Sequence, residues 1–116
     1  MNNHATDEIG TRLAAISDNR TAVESLLNYA SLPAPTVISR PEAVYVSVAD
    51  ADDLLPWLAL LGGVVRKAPA WAGLELWSLV TFTPPGSSGE RVPVRVSVSV
   101  PTGETVMHEI VSAVAA

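Results

Sequence analysis

Three carboxylates lie within four residues, at Asp50, Asp52 and Asp53, directly before an apolar run. Carboxylate oxygens bind hard cations and can act as general acids or bases. Aspartate is also preferred at a helix N-terminus, where its side chain accepts from N–H groups that lack partners within the helix. Because proline is tolerated in the first turn but not in a helix interior, Pro56 requires this helix to begin near Asp52 or Asp53. We interpret the three aspartates as helix caps rather than as a metal site.

The sequence contains few residues that could form a histidine metal site or a catalytic nucleophile. His108 lies four residues after Glu104 in a predicted C-terminal helix, so the two side chains would share a helix face. A catalytic zinc site needs three protein ligands, and the other histidine is His4 near the N-terminus. The sequence has no cysteine, no G-x-S-x-G motif and no P-loop motif. We therefore predict no catalytic residue, no metal ligand and no cofactor.

The composition predicts a protein that covers apolar surface in an assembly. The 116 residues are 48% hydrophobic and only 16% charged, whereas an average domain is roughly 25% charged. Such a chain is expected to bury surface against a second copy of itself or against another protein. Its longest apolar run, residues 54–65, is shorter than the roughly 20 residues of a membrane span, so no membrane partner is expected.

Net charge and cysteine content argue against a nucleic-acid-binding protein and against a secreted protein. A formal net charge of −5 provides no general attraction to phosphate backbones, and Arg66–Lys67 is the only adjacent basic pair, so a nucleic-acid partner is not expected. The absence of cysteine fits a reducing cytoplasm, and the polar first residues do not have the pattern of a secretory signal. These features predict a cytoplasmic protein.

Aromatic side chains supply the main candidate for a binding surface. Trp57 lies on the helix that follows the aspartates. Trp77 and Leu79 share one row of a long strand, which we interpret as a second core layer beneath the first or last helix. The alternative is an exposed interface or ligand patch, since tryptophan is enriched at binding hot spots. The candidate patch comprises Trp57, Trp71, Trp77, Leu79, Arg91 and Arg95.

The N-terminal third carries a helical apolar stripe. Its members are spaced by three, four or seven residues, and that spacing also suits a coiled-coil dimer with an arginine in the seam. We favour the other interpretation, an amphipathic helix that lies on its own sheet. The candidate dimer stripe comprises Ile9, Leu13, Ile16, Arg20, Val23 and Leu27.

The pattern along the chain predicts a single α+β domain over residues 1–116. It comprises an N-terminal helical segment (1–31), continuous or broken near Asn19, a β-α-β-β-β core (36–100) with a mostly antiparallel sheet, and a C-terminal helix (102–116) capped by Thr102. Because a helix joins the first two strands of the core, we expect them to pair in parallel. Pro93 cannot donate to a strand ladder, so we expect the last strand to lie at an edge, or at least to begin at one.

Residues 44–100 have the order of a glyoxalase-type (vicinal oxygen chelate) half-module. They also resemble small actinobacterial and actinophage proteins with a D-L-x-x-W helix and a V-P-V-x-V final strand, here Asp53 to Trp57 and Val92 to Val96. The resemblance implies paired modules and a metal held by strand His and Glu residues, but no predicted strand carries a histidine.

The function that these features favour is a non-catalytic protein-interaction or accessory module that forms a homo-oligomer or binds a protein partner. A small-ligand-binding, glyoxalase-like domain or enzyme with an aromatic pocket is the first alternative. A DNA-binding regulator is the second.

Overall fold

Alternating valines build the centre of a five-stranded sheet. The computed structural model describes residues 4–115, and the side chains of residues 7–115. It confirms the predicted α+β class, with an N-terminal helix, a mostly antiparallel sheet and a short C-terminal helix. The elements in chain order are α1 (His4–Tyr29), β1 (Thr36–Ser39), β2 (Val44–Ser47), a 3₁₀ turn (Ala51–Asp53), α2 (Leu54–Leu61), β3 (Val64–Lys67), β4 (Leu74–Phe82), β5 (Pro93–Pro101) and α3 (His108–Val111).

The strand order is β1-β2-β5-β4-β3, with β2 and β5 parallel and the other neighbouring strands antiparallel. The prediction that the two strands joined by α2 pair in parallel is wrong. The hairpins β3–β4 and β4–β5 keep three antiparallel strands together, and β5 is the one that reaches β2. As a result β3 lies at the far edge of the sheet, three strands away from β2.

The central position of β5 shows that the edge position predicted from Pro93 is wrong, whereas the weaker expectation, that the strand begins where one side is unpaired, agrees with the structure. Pro93 is the first residue of β5, and the pairing of β5 with β2 begins one residue later, where Val94 lies opposite Val44. The missing N–H of proline therefore falls outside the ladder with β2.

All three helices lie on one side of the sheet, which we call the covered face. Within the named elements, α1 packs on β1 and β2, α2 packs on β4 and β5, and α3 packs on α2. Inward side chains of four strands meet the helices in one core. The fully buried members of that core include Val23, Val44, Leu54, Trp57, Val65, Leu79, Val94, Val96 and Ile110.

Helix α1 is continuous, as the simpler of the two interpretations predicted. Its central stretch, Ser17–Thr21, contains weak helix formers such as Ser17, Asp18 and Asn19. Tertiary contacts hold this part of the helix: the Asn19 side-chain amide donates to the Arg40 carbonyl at 2.9 Å, and Ser39 Oγ donates to the Ile16 carbonyl at 2.7 Å.

The chain after β5 is less helical than predicted. Only His108–Val111 form α3, and its N-cap is Met107 rather than Thr102. Thr102 lies in the turn that ends β5, and its N–H donates to the Gly73 carbonyl at 2.9 Å. Beyond α3 the chain straightens, and Val114 forms a parallel bridge with Val65 of β3. The extended tail gains backbone partners there that a longer helix would have lacked.

Candidate interaction surface

The three aspartates lie at the start of the helical segment that contains Pro56. Asp50 has extended backbone angles, and its N–H donates to Asp53 Oδ2 at 3.1 Å. Pro56 is the third residue of α2, within its first turn. The segment ends at Gly62, with φ of 70°, and Gly63, where a Cβ atom would collide with the Val80 carbonyl.

Acidic side chains gather near this turn without forming a ligand set. Glu104 lines the same shallow hollow as the three aspartates. Across the side chains of residues 7–115, no three His, Asp or Glu groups are placed to hold a metal ion together. Glu104 lies outside α3, so the helical Glu104–His108 pair that we predicted is wrong; His108 Nε2 is instead 3.2 Å from Ser112 Oγ.

Trp57 belongs to the core and is not available to a partner. Its exposed fraction is 0%, and its Nε1–H donates to the Pro33 carbonyl at 2.9 Å. This hydrogen bond ties α2 to the linker that precedes β1, so the residue has a structural role in the described fold.

Trp77 and Leu79 also face the helices, so their row is a core layer and not an exposed interface or ligand patch. Both are buried, and Lys67 Nζ lies 5.3 Å from the centroid of the Trp77 ring. Lys67 also pairs with Glu75 at 2.9 Å. Arg66 belongs to the opposite face of β3, so the adjacent basic pair does not form one basic patch.

The remaining members of the predicted patch lie far apart. Trp71 is 82% exposed in the tight turn between β3 and β4, where Ala72 and Gly73 have positive φ angles. Arg91 precedes β5 at the other end of β4, and its Nε–H donates to the Thr83 carbonyl at 3.1 Å. Arg95 lies in the middle of β5. The six residues therefore do not form one surface.

The side of the sheet opposite the helices carries the largest uncovered surface, and we call it the open face. Strand register places Ile38, Tyr45, Arg95, Val80 and Val64 in one row across all five strands. The next row runs through Thr36, Ser47, Ser97, Ser78 and Arg66 and is polar throughout. The open face comprises Thr36, Ile38, Tyr45, Ser47, Val64, Arg66, Leu74, Leu76, Ser78, Val80, Phe82, Pro93, Arg95, Ser97 and Ser99.

Charge and shape distinguish the open face from the rest of the chain. It holds two arginines and no carboxylate, although the whole chain has a net charge of −5. Its centre is a hollow of about 560 Å³ lined by side chains that include Tyr45, Arg66 and Arg95. The floor of the hollow contains a hydroxyl pair, Ser78 Oγ and Ser97 Oγ, 3.0 Å apart. Because each hydroxyl carries one proton, the pair keeps one donor for a further acceptor.

Sequence reasoning missed the open face because β4 is apolar on both sides. Leu74, Leu76, Val80 and Phe82 occupy the row opposite Trp77 and Leu79. The signal that would have separated the rows is β5, whose buried valines alternate with polar residues. Pairing across a short hairpin puts Leu79 beside Val96, so the row with Leu79 must share the buried side of β5.

The candidate dimer stripe on α1 divides into two parts. Val23 is buried and Leu27 is partly buried against the chain's own core. Ile9 and Leu13 are 58% and 61% exposed. Arg20 is exposed and Ile16 is partly covered. A coiled-coil seam over the whole stripe is therefore wrong, since its C-terminal part packs within one chain.

No protein-family model, curated protein or solved structure matches this chain. Within the described part of the chain, no helix combines the length and the apolar character needed to cross a membrane.

Proposed function

We propose that this chain is a non-catalytic interaction module of the cytoplasm, which binds a protein partner on its open face and also self-associates. The observation that carries the proposal is the open face itself, a side of the five-stranded sheet that no helix covers and that exposes apolar side chains on both sides of a polar row. Five of its apolar side chains expose between 41% and 48% of their surface: Ile38, Val64, Leu74, Leu76 and Phe82.

The arrangement of these side chains matters more than their number. Single exposed apolar residues are ordinary on protein surfaces. Register brings Val64 and Phe82 together around Val80, and Leu74 lies beside Leu76 on the far side of the polar row. Apolar patches exposed on a sheet mark contact surfaces. Burial of such a patch is favourable by about 25 cal/mol per Å² of apolar area.

Charge indicates which partner fits the open face. Two copies meeting face to face would bring Arg66 and Arg95 of each into one interface without a carboxylate to pair with them, and like charges in contact oppose association. An apolar partner surface that carries Asp or Glu would satisfy both arginines. We therefore assign the open face to an acidic protein partner and place self-association elsewhere on the molecule.

Matched variants test the open face. Proteins that co-purify with the wild-type chain should be lost with Leu76→Lys and with Arg95→Glu, and kept with Tyr29→Lys. Tyr29 is 87% exposed and lies at the end of α1, outside the open face, so it controls for a general effect of an added lysine. The same set of bound proteins for all three variants would overturn the assignment.

Light scattering after size exclusion tests the self-association. We expect a mass above that of one chain, falling on dilution. A single-chain mass at every concentration up to the millimolar range would remove self-association from the proposed function.

A second candidate function rests on the hollow in the open face. Two guanidinium groups, a free hydroxyl donor and the apolar flanks of Leu76 and Val80 suit a small carboxylate with an apolar body. Benzoate and decanoate should raise the melting temperature of the wild-type chain and not that of Arg95→Gln, while Arg91→Gln should respond like the wild type. Equal melting temperatures with and without these carboxylates would exclude this use of the hollow.

A further inference from the structure

The two edges of the sheet differ in how they end. The outer edge of β3 is closed by the chain's own tail: the Val65 N–H donates to the Ala113 carbonyl at 2.9 Å, and the Ala115 N–H donates to the Val65 carbonyl at 3.0 Å. The outer edge of β1 has no strand beside it in the described part of the chain. An unpaired strand edge is a ready template for a strand of another chain.

The hydrogen-bonding groups at the free edge follow from register. The Arg40 N–H donates to the Ala43 carbonyl at 2.9 Å and closes the β1–β2 turn. Antiparallel pairs alternate between bonded and non-bonded, so Ile38 is bonded to β2 while Val37 and Ser39 are not. The N–H and C=O groups of Val37 and Ser39 therefore point outward, two donors and two acceptors on one short strand.

Helix α1 extends beyond this same edge. Going toward its N-terminus, α1 touches the β1–β2 turn through Asn19 and then β1 itself through Ile16. Residues 7–14 come next and all are exposed. At 1.5 Å per residue the whole helix is about 39 Å long, and the molecule measures 58 Å along its longest axis. We call residues 4–15 the arm.

Residues 7–14 of the arm are helical although all of them are exposed. Isolated helices of about 12 residues are marginal in water, and Gly10 in the middle disfavours this one further. Ile9 and Leu13 continue the stripe in which Ile16 is partly covered and Val23 packs in the chain's own core. A continuation of that sheet past β1 would lie beneath them.

We propose that β1 pairs antiparallel with the β1 of a second copy, and that each arm lies over the sheet of the other chain. This assembly is the self-association included in the proposed function. The outward groups of Val37 bond those of the partner's Ser39, and the two-fold axis passes between the two copies of Ile38. The two sheets become one sheet of ten strands, and both open faces stay free on the same side of it.

Sequence and size agree with this register. Pro35 and Pro41 flank β1, and proline cannot donate to a ladder, so pairing is restricted to the five residues between them. A stable interface buries roughly 800 Å² on each partner, more than a four-residue strand provides. The arms supply the remainder, since each chain both gives an arm and receives one.

A cysteine trap tests the register. The chain has no cysteine, so the single variant Ile38→Cys can form only an intermolecular disulfide. In a non-bonded antiparallel pair the Cα atoms are about 4.5 Å apart, within the range of about 4.4–6.8 Å that a disulfide spans. Leu76→Cys is the matched control, because Leu76 is 48% exposed and Ile38 47%. In a glutathione redox buffer we expect Ile38→Cys to form covalent dimers at least tenfold faster than Leu76→Cys.

Light scattering on uncrosslinked variants tests the two contacts separately. Ile38→Lys, and the double variant Ile9→Ser with Leu13→Ser, should each raise the dimer dissociation constant at least tenfold. Leu76→Lys and Tyr29→Ser, which alter exposed residues away from the proposed contact, should leave it unchanged. All of the altered side chains are exposed in the single chain, so melting at low concentration should show that every variant is folded.

The outcomes separate this assembly from the broader proposal. If the wild-type chain is a monomer at all concentrations, both the assembly and the self-association are wrong. If it is a dimer that Ile38→Lys does not weaken and Ile38→Cys does not trap, the β1 pairing is wrong while self-association stands. If the strand variants act as expected and the arm variant has no effect, the arm contact is wrong.

Discussion

The two faces of the sheet are built by alternate residues of the same strands, yet they have different environments. On β4, Leu79 is fully buried on the covered face, and Leu76, three residues earlier on the open face, is half exposed. Both rows of β4 are apolar, so hydrophobicity alone does not decide which row the helices cover. The neighbouring strand decides it, because β5 has valine on one side and arginine, serine and proline on the other.

The strongest test of this contrast replaces the same residue on each face. Leu79→Ala should lower the free energy of unfolding by about 2–5 kcal/mol, since it removes buried methyl groups and leaves a cavity. Leu76→Ala should change it by no more than about 0.5–1 kcal/mol, as at other exposed sites. Urea unfolding at low protein concentration measures both. Equal losses would mean that the open face is covered in solution.

The two core tryptophans provide the next comparison, within the covered face. The Trp57 indole N–H is hydrogen-bonded, whereas the buried indole N–H of Trp77 has no partner among the described residues. Trp57→Phe should therefore cost about 1–2 kcal/mol more than Trp77→Phe, because it leaves the Pro33 carbonyl unpaired while the second change removes an unsatisfied donor. Both substitutions remove the same part of the indole ring, so the loss of buried apolar area cancels when the two changes in unfolding free energy are compared. A larger cost at Trp77 would indicate a water or other acceptor bound to its indole.

The closed edge of β3 permits a smaller test. Ala115→Pro removes the N–H that donates to the Val65 carbonyl, and we expect a loss of about 1 kcal/mol in unfolding free energy. Amide hydrogen exchange at Val65 and Ala113 should quicken while the amides of β5 stay protected. Unchanged exchange at Val65 would show that the tail does not close this edge in solution.

The ion pair beside Trp77 should give the smallest effect. Glu75→Gln removes the bond to Lys67, whose side chain is 44% exposed, so solvent screening limits the loss to at most about 1 kcal/mol. Unfolding at low and at high salt should differ less for the variant than for the wild-type chain. A loss that is independent of salt would assign the role of Glu75 to packing instead of charge.

The positions of most helices and strands could be predicted from the sequence, but the pairing of the strands could not. The alternation of valine with polar residues identified β5, and Pro56 with Gly62 located α2, because these signals are local. The pairing of β2 with β5 depends on how two hairpins fold back, and no local pattern carries that information. The predicted length of the C-terminal helix was wrong for a related reason. Val114 has helical spacing from Ile110, but it pairs with Val65 at the edge of β3, where the chain is extended.

The candidate binding surface shows the same contrast between local sequence patterns and strand pairing. Tryptophan content marked positions with large apolar area, and two of the three, Trp57 and Trp77, lie in the core. The open face consists of residues that are unremarkable one by one, such as Leu76, Ser78 and Arg95. Only strand register brings these residues together, so the open face could be identified only after the strand order of the sheet was known.

The parallel pairing of β2 and β5 also has a consequence for synthesis. Val44 pairs with Val94, so a ribosome completes β2 about fifty residues before its central neighbour exists. During that interval α1 and the β1–β2 hairpin lack the core side chains that β3, β4 and β5 supply later. A lone two-stranded hairpin is marginally stable in water. At about 5–20 residues per second this interval lasts on the order of 3–10 s. The nascent N-terminal half is thus the stage at which β2 exposes the apolar side chains that β5 later covers.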